Sequence, residues 1–189
     1  MSTGPKFAVF ASGSGTNFQA IYDAVRTGKL VGEPVLVVTN RPDAYVVDRA
    51  KAVGIETLIC KPSDYSTKEA YEQEILNELQ ELQVEWLVLA GYMRLVGNVL
   101  LDAYPNRIVN IHPSLLPAFP GKDAIGQAME HGVKVTGVTV HLVDAGMDTG
   151  PILSQCAVEV VSDDREKTEE RIHAVEHELY VKALQQLWS

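Results

Sequence analysis

The stretch Phe7-Ala-Val-Phe-Ala-Ser-Gly-Ser-Gly-Thr-Asn17 combines an apolar strand, a turn with two glycines and the start of a helix. Residues 7–11 are wholly apolar, as in a strand that is covered on both faces, whereas residues 17–25 have the apolar spacing of a helix. Glycines at such a junction let the backbone turn sharply and approach a ligand closely. The stretch therefore predicts a strand–turn–helix unit at the start of an α/β fold.

The same alternation of strand and helix continues along the chain. Strands are predicted at residues 7–11, 34–39, 56–60, 86–90 and 107–111, β-rich runs at 133–143 and 151–161, and helices at 17–25, 43–53, after a capping box at 66–69, at 124–131 and at 165–188. This order predicts a mainly parallel, twisted, Rossmann-like sheet with helices on both faces, made mixed by its last two strands. No repeat or linker interrupts it, so residues 1–189 are predicted to form a single domain.

The charge of the chain argues against two classes of partner. It has 189 residues, 46% of them hydrophobic, and a formal net charge of −9. An acidic chain without a basic cluster is not expected to bind nucleic acid or an anionic membrane surface. An anionic small molecule remains compatible, because the N–H groups at a helix start supply a local positive field.

The two cysteines and the N-terminus indicate the compartment. Cys60 and Cys156 are far apart and form no CxxC motif, so buried free thiols are expected, without a disulfide framework or zinc site. No apolar run is long enough to span a bilayer, and the N-terminus lacks the layout of a signal peptide. A cytoplasmic location is expected.

A second stretch, Asn110-Ile-His-Pro-Ser-Leu-Leu-Pro117, supplies candidate catalytic groups. Asn110 and His112 are two residues apart in a strand, so their side chains share one face at the carboxyl end, where ligands bind in α/β sheets. A downstream Gly/Asp loop could bring Asp148 to them. An amide donor, an imidazole and a carboxylate suit a reaction that builds negative charge on a carbonyl oxygen and transfers protons near neutral pH.

Several other interpretations of these motifs are weaker. The glycine turn after the first strand is either a phosphate cradle or only a tight turn, and it is not a Walker loop. Phe18 replaces the third glycine of a dinucleotide fingerprint, although Arg41 keeps a dinucleotide with a 2′-phosphate as a minority alternative. Asp148-Thr-Gly matches the aspartic protease tripeptide, but it occurs once and in an α/β chain.

The remaining histidines are not predicted to be catalytic. His141 lies in a strand with an alternating pattern and is interpreted as structural. His173 and His177 are four residues apart on the terminal helix, where a solvated face is favoured over a metal site.

Four stretches, taken together, resemble the folate-dependent formyltransferases over nearly the whole chain. They are Ala11-Ser-Gly-Ser-Gly-Thr-Asn-Phe-Gln-Ala-Ile21, Leu89-Ala-Gly-Tyr-Met-Arg-Leu95, Asn110-Ile-His-Pro-Ser-Leu-Leu-Pro117 and Val143-Asp-Ala-Gly-Met-Asp-Thr-Gly-Pro151. Their order and joint presence are similar to the branch that formylates 5′-phosphoribosylglycinamide in purine synthesis. The resemblance implies the formyltransferase fold and 10-formyltetrahydrofolate as co-substrate, with no metal. It also implies direct attack of the glycinamide amine through a tetrahedral intermediate.

The resemblance also implies roles for individual residues. Asn110, His112 and Asp148 match the catalytic trio, in which the amide and the imidazolium stabilise the oxyanion while the carboxylate supports proton transfer. The ribonucleotide would be held by Gly15, Thr16, Asn17 and Glu176, and the folate by Lys68, Met93, Arg94, Leu95, Val96 and Asn110. One position departs from the family, because Asp123 stands where an auxiliary histidine is common.

Alternatives within and outside the superfamily remain. A formyltetrahydrofolate deformylase would need an extra N-terminal regulatory domain, and a methionyl-tRNA formyltransferase a C-terminal nucleic-acid module with basic charge. A non-catalytic nucleotide sensor built on the first loop is a further alternative, and turnover would separate it from an enzyme. Small-molecule substrates are expected, and a homodimer is left open.

Overall fold

A computed structural model describes residues 3–189, which build one seven-stranded sheet and the helices that cover it. The strands are β1 Lys6–Phe10, β2 Glu33–Thr39, β3 Glu56–Ile59, β4 Trp86–Leu89, β5 Ile108–His112, β6 Val135–Leu142 and β7 Ile152–Glu159. The helices are α1 Thr16–Arg26, α2 Tyr45–Ala52, α3 Lys68–Glu81, α4 Asn98–Ala103, α5 Ala124–His131 and α6 Arg165–Trp188, with a 3₁₀ turn at Pro62–Asp64.

The sheet has the order β3-β2-β1-β4-β5-β6-β7. β1 to β5 run parallel, whereas β6 pairs antiparallel with β5 and β7 antiparallel with β6. The predicted mainly parallel sheet with a mixed C-terminal part is therefore confirmed. The strand order reverses between β1 and β4: β2 and β3 follow β1 on one side, and β4 to β7 lie on the other side. In open α/β sheets, ligands bind at the carboxyl ends of the strands beside such a switch point.

Alternate residues of the central strands supply two separate cores. Phe7 and Val9 of β1 face α1 and α6, whereas Ala8 and Phe10 face α3 and α4, and all four are fully buried. α6 is also anchored by Tyr180, whose buried hydroxyl donates to the carbonyl oxygens of Leu89 (2.7 Å) and Val109 (3.2 Å). Burial on both faces explains why β1 has no polar residue after Lys6.

Between residues 62 and 103 the structure differs from the sequence predictions in two respects. α3 begins after Thr67, whose hydroxyl accepts from the N–H of Ala70 at 3.0 Å, so the predicted capping box at 66–69 does not form. α4 and the 3₁₀ turn were not predicted, because six and three residues are too few to show helical periodicity.

The prediction that both thiols are buried is wrong for Cys156. Cys60 is buried, but Cys156 is exposed, because it lies in a solvent-facing part of the edge strand β7. Among residues 3–189, no helix has both the length and the apolar character that a membrane crossing requires.

Candidate active site

The end of β5 carries Asn110 and His112 on one face, as predicted from their spacing. His112 is only 6% exposed. Its Nε2 lies 2.8 Å from the carbonyl oxygen of Phe119, and its Nδ1 lies 3.5 Å from Oδ2 of Asp148. Both ring nitrogens thus face oxygen acceptors, an arrangement that an imidazolium with two N–H donors satisfies.

Asp148 reaches the site from the loop between β6 and β7. Its Oδ2 accepts from the N–H of Gly121 at 2.8 Å and faces His112, and its side chain is 12% exposed. The backbone is left-handed at Asp148, with φ at 55°, a conformation that Asp and Asn tolerate better than most residues. The carboxylate therefore has a fixed position beside the imidazole.

A second carboxylate, that of Asp144, holds this loop in shape. Asp144 accepts from the Thr149 hydroxyl at 2.6 Å and from the Gly146 N–H at 3.0 Å. These two hydrogen bonds, the Thr149 bond foremost, lower the pKa of the Asp144 carboxyl. Gly150 has no room for a side chain, because a Cβ there would collide with the carbonyl of Leu142. The loop is thus built around Asp148 and is not a loose connection.

His141 belongs to the same cluster, although the sequence interpretation treated it as structural. It pairs with Asn110 across β5 and β6, and its Nε2 lies 3.4 Å from Nδ2 of Asn110 and 3.8 Å from Oδ1 of Asp148. Its Nδ1 lies 2.8 Å from the carbonyl of Leu142 and so carries the proton in the neutral tautomer. Nε2 can then accept from the Asn110 amide and orient it, leaving the second amide hydrogen for a ligand.

The first loop has the features of an anion site. Gly15 is left-handed, with φ at 75°, and a Cβ there would lie 2.7 Å from Cγ2 of Val46. α1 starts at Thr16, and no side chain among residues 3–189 caps its N-terminus. The N–H groups of its first turn therefore have no capping side chain in this range, and uncapped N–H groups at a helix start attract anions.

Asn17 and Glu176 meet beside this loop. Nδ2 of Asn17 donates to Oε2 of Glu176 at 2.8 Å, and both side chains are buried. Oδ1 of Asn17 is buried and has no hydrogen-bond partner among the described residues. Burial raises the pKa of Glu176 despite the opposing Asn17 hydrogen bond and the nearby His173 and His112. A polar ligand with donor groups would satisfy both side chains.

The segment after β4, from Gly91 to Gly97, lies next to the first loop, since the N–H of Ser12 donates to the carbonyl oxygen of Gly91 at 3.0 Å. Met93 and Leu95 are 70% and 48% exposed, whereas Val96 is buried. Ser12 joins the segment to the first loop, because its hydroxyl accepts from the N–H of Met93 at 2.9 Å and donates to Oδ1 of Asn40 at 2.5 Å. Neither Ser12 nor Asn40 was predicted to matter, since a serine in a glycine loop is not distinctive.

Two more predicted site residues flank this segment. Arg94 is exposed and its guanidinium lies 5.8 Å from the ring centre of Tyr71, a cation–π contact. Lys68 is exposed at the start of α3, close to Gly97. Exposed apolar and basic side chains thus surround the segment, a surface suited to a flat aromatic ligand with an anionic tail.

Asp123 stands apart from the cluster. It caps α5 by accepting from the N–H of Gly126 at 3.3 Å, and it forms an ion pair with Arg165 at 2.6 Å. The hydrogen bonds from Arg165 are the main reason that the pKa of this exposed carboxyl is lowered. The carboxylate is engaged in a cap and an ion pair, so the position serves α5 in this chain.

Two expectations about the terminal helix have different outcomes. The predicted solvated face is confirmed for His173, which is exposed, but it is wrong for His177, whose ring is partly buried with Nε2 inaccessible. Burial lowers the pKa of His177. No group of three or more His, Cys, Asp or Glu side chains in the described range is arranged to hold a metal ion.

Comparisons with known proteins identify the family. The sequence profile described as Formyl transferase matches residues 5–184. Phosphoribosylglycinamide formyltransferase of Bacillus subtilis is 51% identical over 183 residues, covering 96% of this chain and 94% of its own length. The Escherichia coli protein of the same name is 38% identical, with 91% of this chain and 82% of its own length covered.

A solved structure gives the same result in three dimensions. The crystal structure of glycinamide ribonucleotide transformylase 1 from Geobacillus kaustophilus superposes with a TM-score of 0.96 at 56% identity, covering 98% of this chain and all of the other. The family model, the similar sequences and the superposed structure agree, and the chain belongs to the formyl transferase family.

Proposed function

We propose that the protein transfers the formyl group of 10-formyltetrahydrofolate to the glycinamide amine of 5′-phosphoribosylglycinamide. Its relatives named above are phosphoribosylglycinamide formyltransferases, and it is an enzyme of that kind. The observation that carries the proposal is the convergence of Asn110, His112 and Asp148 beside the buried pair formed by Asn17 and Glu176.

The catalytic trio acts on the formyl carbonyl. Attack by the amine on the formyl carbon gives a tetrahedral intermediate whose oxygen carries negative charge. The Asn110 amide, oriented through His141, donates to that oxygen. The positive charge of the protonated His112 ring, whose two nitrogens face Phe119 and Asp148, stabilises it. Asp148, 3.5 Å from the ring, favours its charged form and helps to pass the proton from the amine to the departing folate nitrogen.

The ribonucleotide lies against the first loop in this proposal. The phosphate binds to the N–H groups of Gly15, Thr16 and Asn17, where no side chain of the described residues competes with it. The buried Oδ1 of Asn17 and the carboxylate of Glu176 accept hydrogen bonds from the rest of the molecule. These contacts aim the amine at the formyl group.

The folate lies along the segment after β4. Met93, Arg94, Leu95 and Val96 line the pterin subsite, and Asn110 reaches it from β5. Lys68 faces the negatively charged tail of the co-substrate. In this proposal the chain acts as one formyltransferase domain in the cytoplasm, on small molecules alone, without nucleic acid or a metal ion. A homodimer would be tested by sedimentation.

A product assay tests the function directly. The protein is given both substrates, and formylated ribonucleotide is quantified together with released tetrahydrofolate. Equal amounts of the two products are expected, with little tetrahydrofolate when the ribonucleotide is omitted. Release that does not depend on the ribonucleotide would instead indicate hydrolysis by water, and no release in either case would indicate a binding protein.

A further inference from the structure

The segment from Tyr92 to Gly97 is held by α3 at both of its ends. At its start, the hydroxyl groups of Tyr92 and Tyr71 are hydrogen-bonded at 2.6 Å. At its end, the N–H of Gly97 donates to Oε2 of Glu72 at 2.8 Å. Between these two points Met93 and Leu95 project into solvent. Together with Ser12, which accepts from the Met93 N–H, two side chains of one helix therefore hold the exposed part of the segment in position.

Glu72 is in an unusual place for a carboxylate. It is only 3% exposed, and burial is the main reason that its pKa is raised, although the Gly97 N–H, Lys68 and Arg94 act in the opposite direction. Burying a carboxylate is unfavourable unless its hydrogen bonds compensate. Among residues 3–189 its hydrogen-bond partner is a single backbone N–H, that of Gly97 at the end of the segment that precedes α4.

Gly97 lies close against the carboxylate of Glu72. A Cβ at this position would collide with Oε1 of Glu72 and would lie 3.0 Å from Cε of Lys68. The backbone at Gly97 is extended, with φ at −100°, so the reason for glycine is the approach of the carboxylate and not an unusual conformation. A substitution of Gly97 or Glu72 that disturbs the contact between the Gly97 backbone and the Glu72 carboxylate would therefore move the segment.

We propose that Glu72 is a positioning residue for the formyl-folate subsite, which it shapes by fixing Gly97 and with it residues 93–96. The inference rests on the proposed function only in naming the ligand. Glu72 touches neither substrate; it acts through the backbone of the segment. The acceptor oxygen, not the negative charge, does this work, so a glutamine at this position should serve as well.

Three variants test the proposal, with Glu69, exposed on the same helix, as a matched control site. Glu72→Leu removes the acceptor, Glu72→Gln keeps it without the charge, and Gly97→Ala disturbs the approach while leaving the carboxylate. The Michaelis constants for both substrates and kcat are measured, together with equilibrium binding of tetrahydrofolate. Glu69→Gln should behave as the unchanged protein.

Glu72→Leu and Gly97→Ala should each raise the Michaelis constant for 10-formyltetrahydrofolate and weaken tetrahydrofolate binding by roughly 10-fold, the size of effect expected when a buried N–H loses its acceptor. The Michaelis constant for the ribonucleotide should stay within about twofold, which is within ordinary variation for a site that is not touched. Glu72→Gln should restore folate binding.

A purely structural role gives a different result. It would lower the melting temperature of Glu72→Leu and leave the folate constants of the folded protein unchanged, which would overturn the proposal. Weakened binding in Glu72→Gln equal to that in Glu72→Leu would overturn the assignment to the acceptor oxygen. The unchanged protein could fail to transfer a formyl group, while Glu72→Leu still binds tetrahydrofolate more weakly than the unchanged protein does. In that case the proposed function would fail and the role of Glu72 would stand.

Discussion

Replacing Asp148 by asparagine removes one charge and very little else. The asparagine oxygen can still accept from the N–H of Gly121, and asparagine tolerates the left-handed backbone at this position. The distance of 3.5 Å between Oδ2 and Nδ1 of His112, in a site that is 12% exposed, corresponds to about 5 kcal/mol of attraction at an effective dielectric constant of ~20. That value is a ceiling, equivalent to roughly 10³-fold in rate.

Turnover of Asp148→Asn should therefore fall by ~10² to ~10³-fold, with the melting temperature and the binding of both substrates nearly unchanged. The assay is single-turnover formation of formylated ribonucleotide at saturating substrate. The proposed mechanism makes Asp148 and His112 one unit, so His112→Ala combined with Asp148→Asn should be little worse than the poorer single variant.

Asp148→Ala separates the charge from the tether to Gly121. If Asp148 only tied down its loop, the asparagine variant would be nearly as active as the unchanged protein and the alanine variant would lose activity along with stability. Losses that multiply in the double variant would likewise refute the coupling. Either result would leave Asn110 and His112 to account for the chemistry without a carboxylate.

Three more outcomes are expected. Asn110→Ala should reduce turnover by ~10²-fold or more through loss of an oxyanion donor, and single-turnover kinetics of a folded variant with near-normal rates would contradict this. Gly15→Val adds a side chain against Val46 at a left-handed backbone position, so it should raise the Michaelis constant for the ribonucleotide. Calorimetry should show an unchanged affinity for folate. Lost folate binding with unchanged ribonucleotide binding would mean that the two subsites must be exchanged. Because burial raises the pKa of Glu176, the folded protein binds this proton more tightly than the unfolded chain, so stability should fall as the pH rises from 4.5 through the folded pKa. Glu176→Gln should flatten that part of a pH series of melting temperatures, and parallel curves would refute the assignment.

Local sequence patterns predicted most of the fold because each strand and long helix has its own periodicity. The bounds of α5 and α6 follow from a capping aspartate and a long apolar stripe, and both were predicted to the residue. α4 was not predicted, because its six residues form fewer than two helical turns and show no periodicity. The first residue of α3 was misplaced because Ser66 and Thr67 are both good caps, and only the folded chain selects one.

The candidate site was predictable where its members are neighbours in one strand and unpredictable where they meet across strands. Asn110 and His112 share a face of β5 through simple alternation. His141 joins them only because β6 runs antiparallel to β5 in a register that opposes it to Asn110, and register is not visible in the sequence of one strand. Ser12 was missed for a similar reason, since its partners Asn40 and Met93 are distant along the chain.

The hydrogen bond between Asn17 and Glu176 spans 159 positions of the chain and so has a consequence for biosynthesis. Contacts between distant residues form late, because a long loop must close before they stabilise anything. A nascent chain that still lacks α6 can present the glycine turn but not its buried acid. In the proposed function, nucleotide recognition is therefore complete only when the C-terminal helix has docked against the first loop.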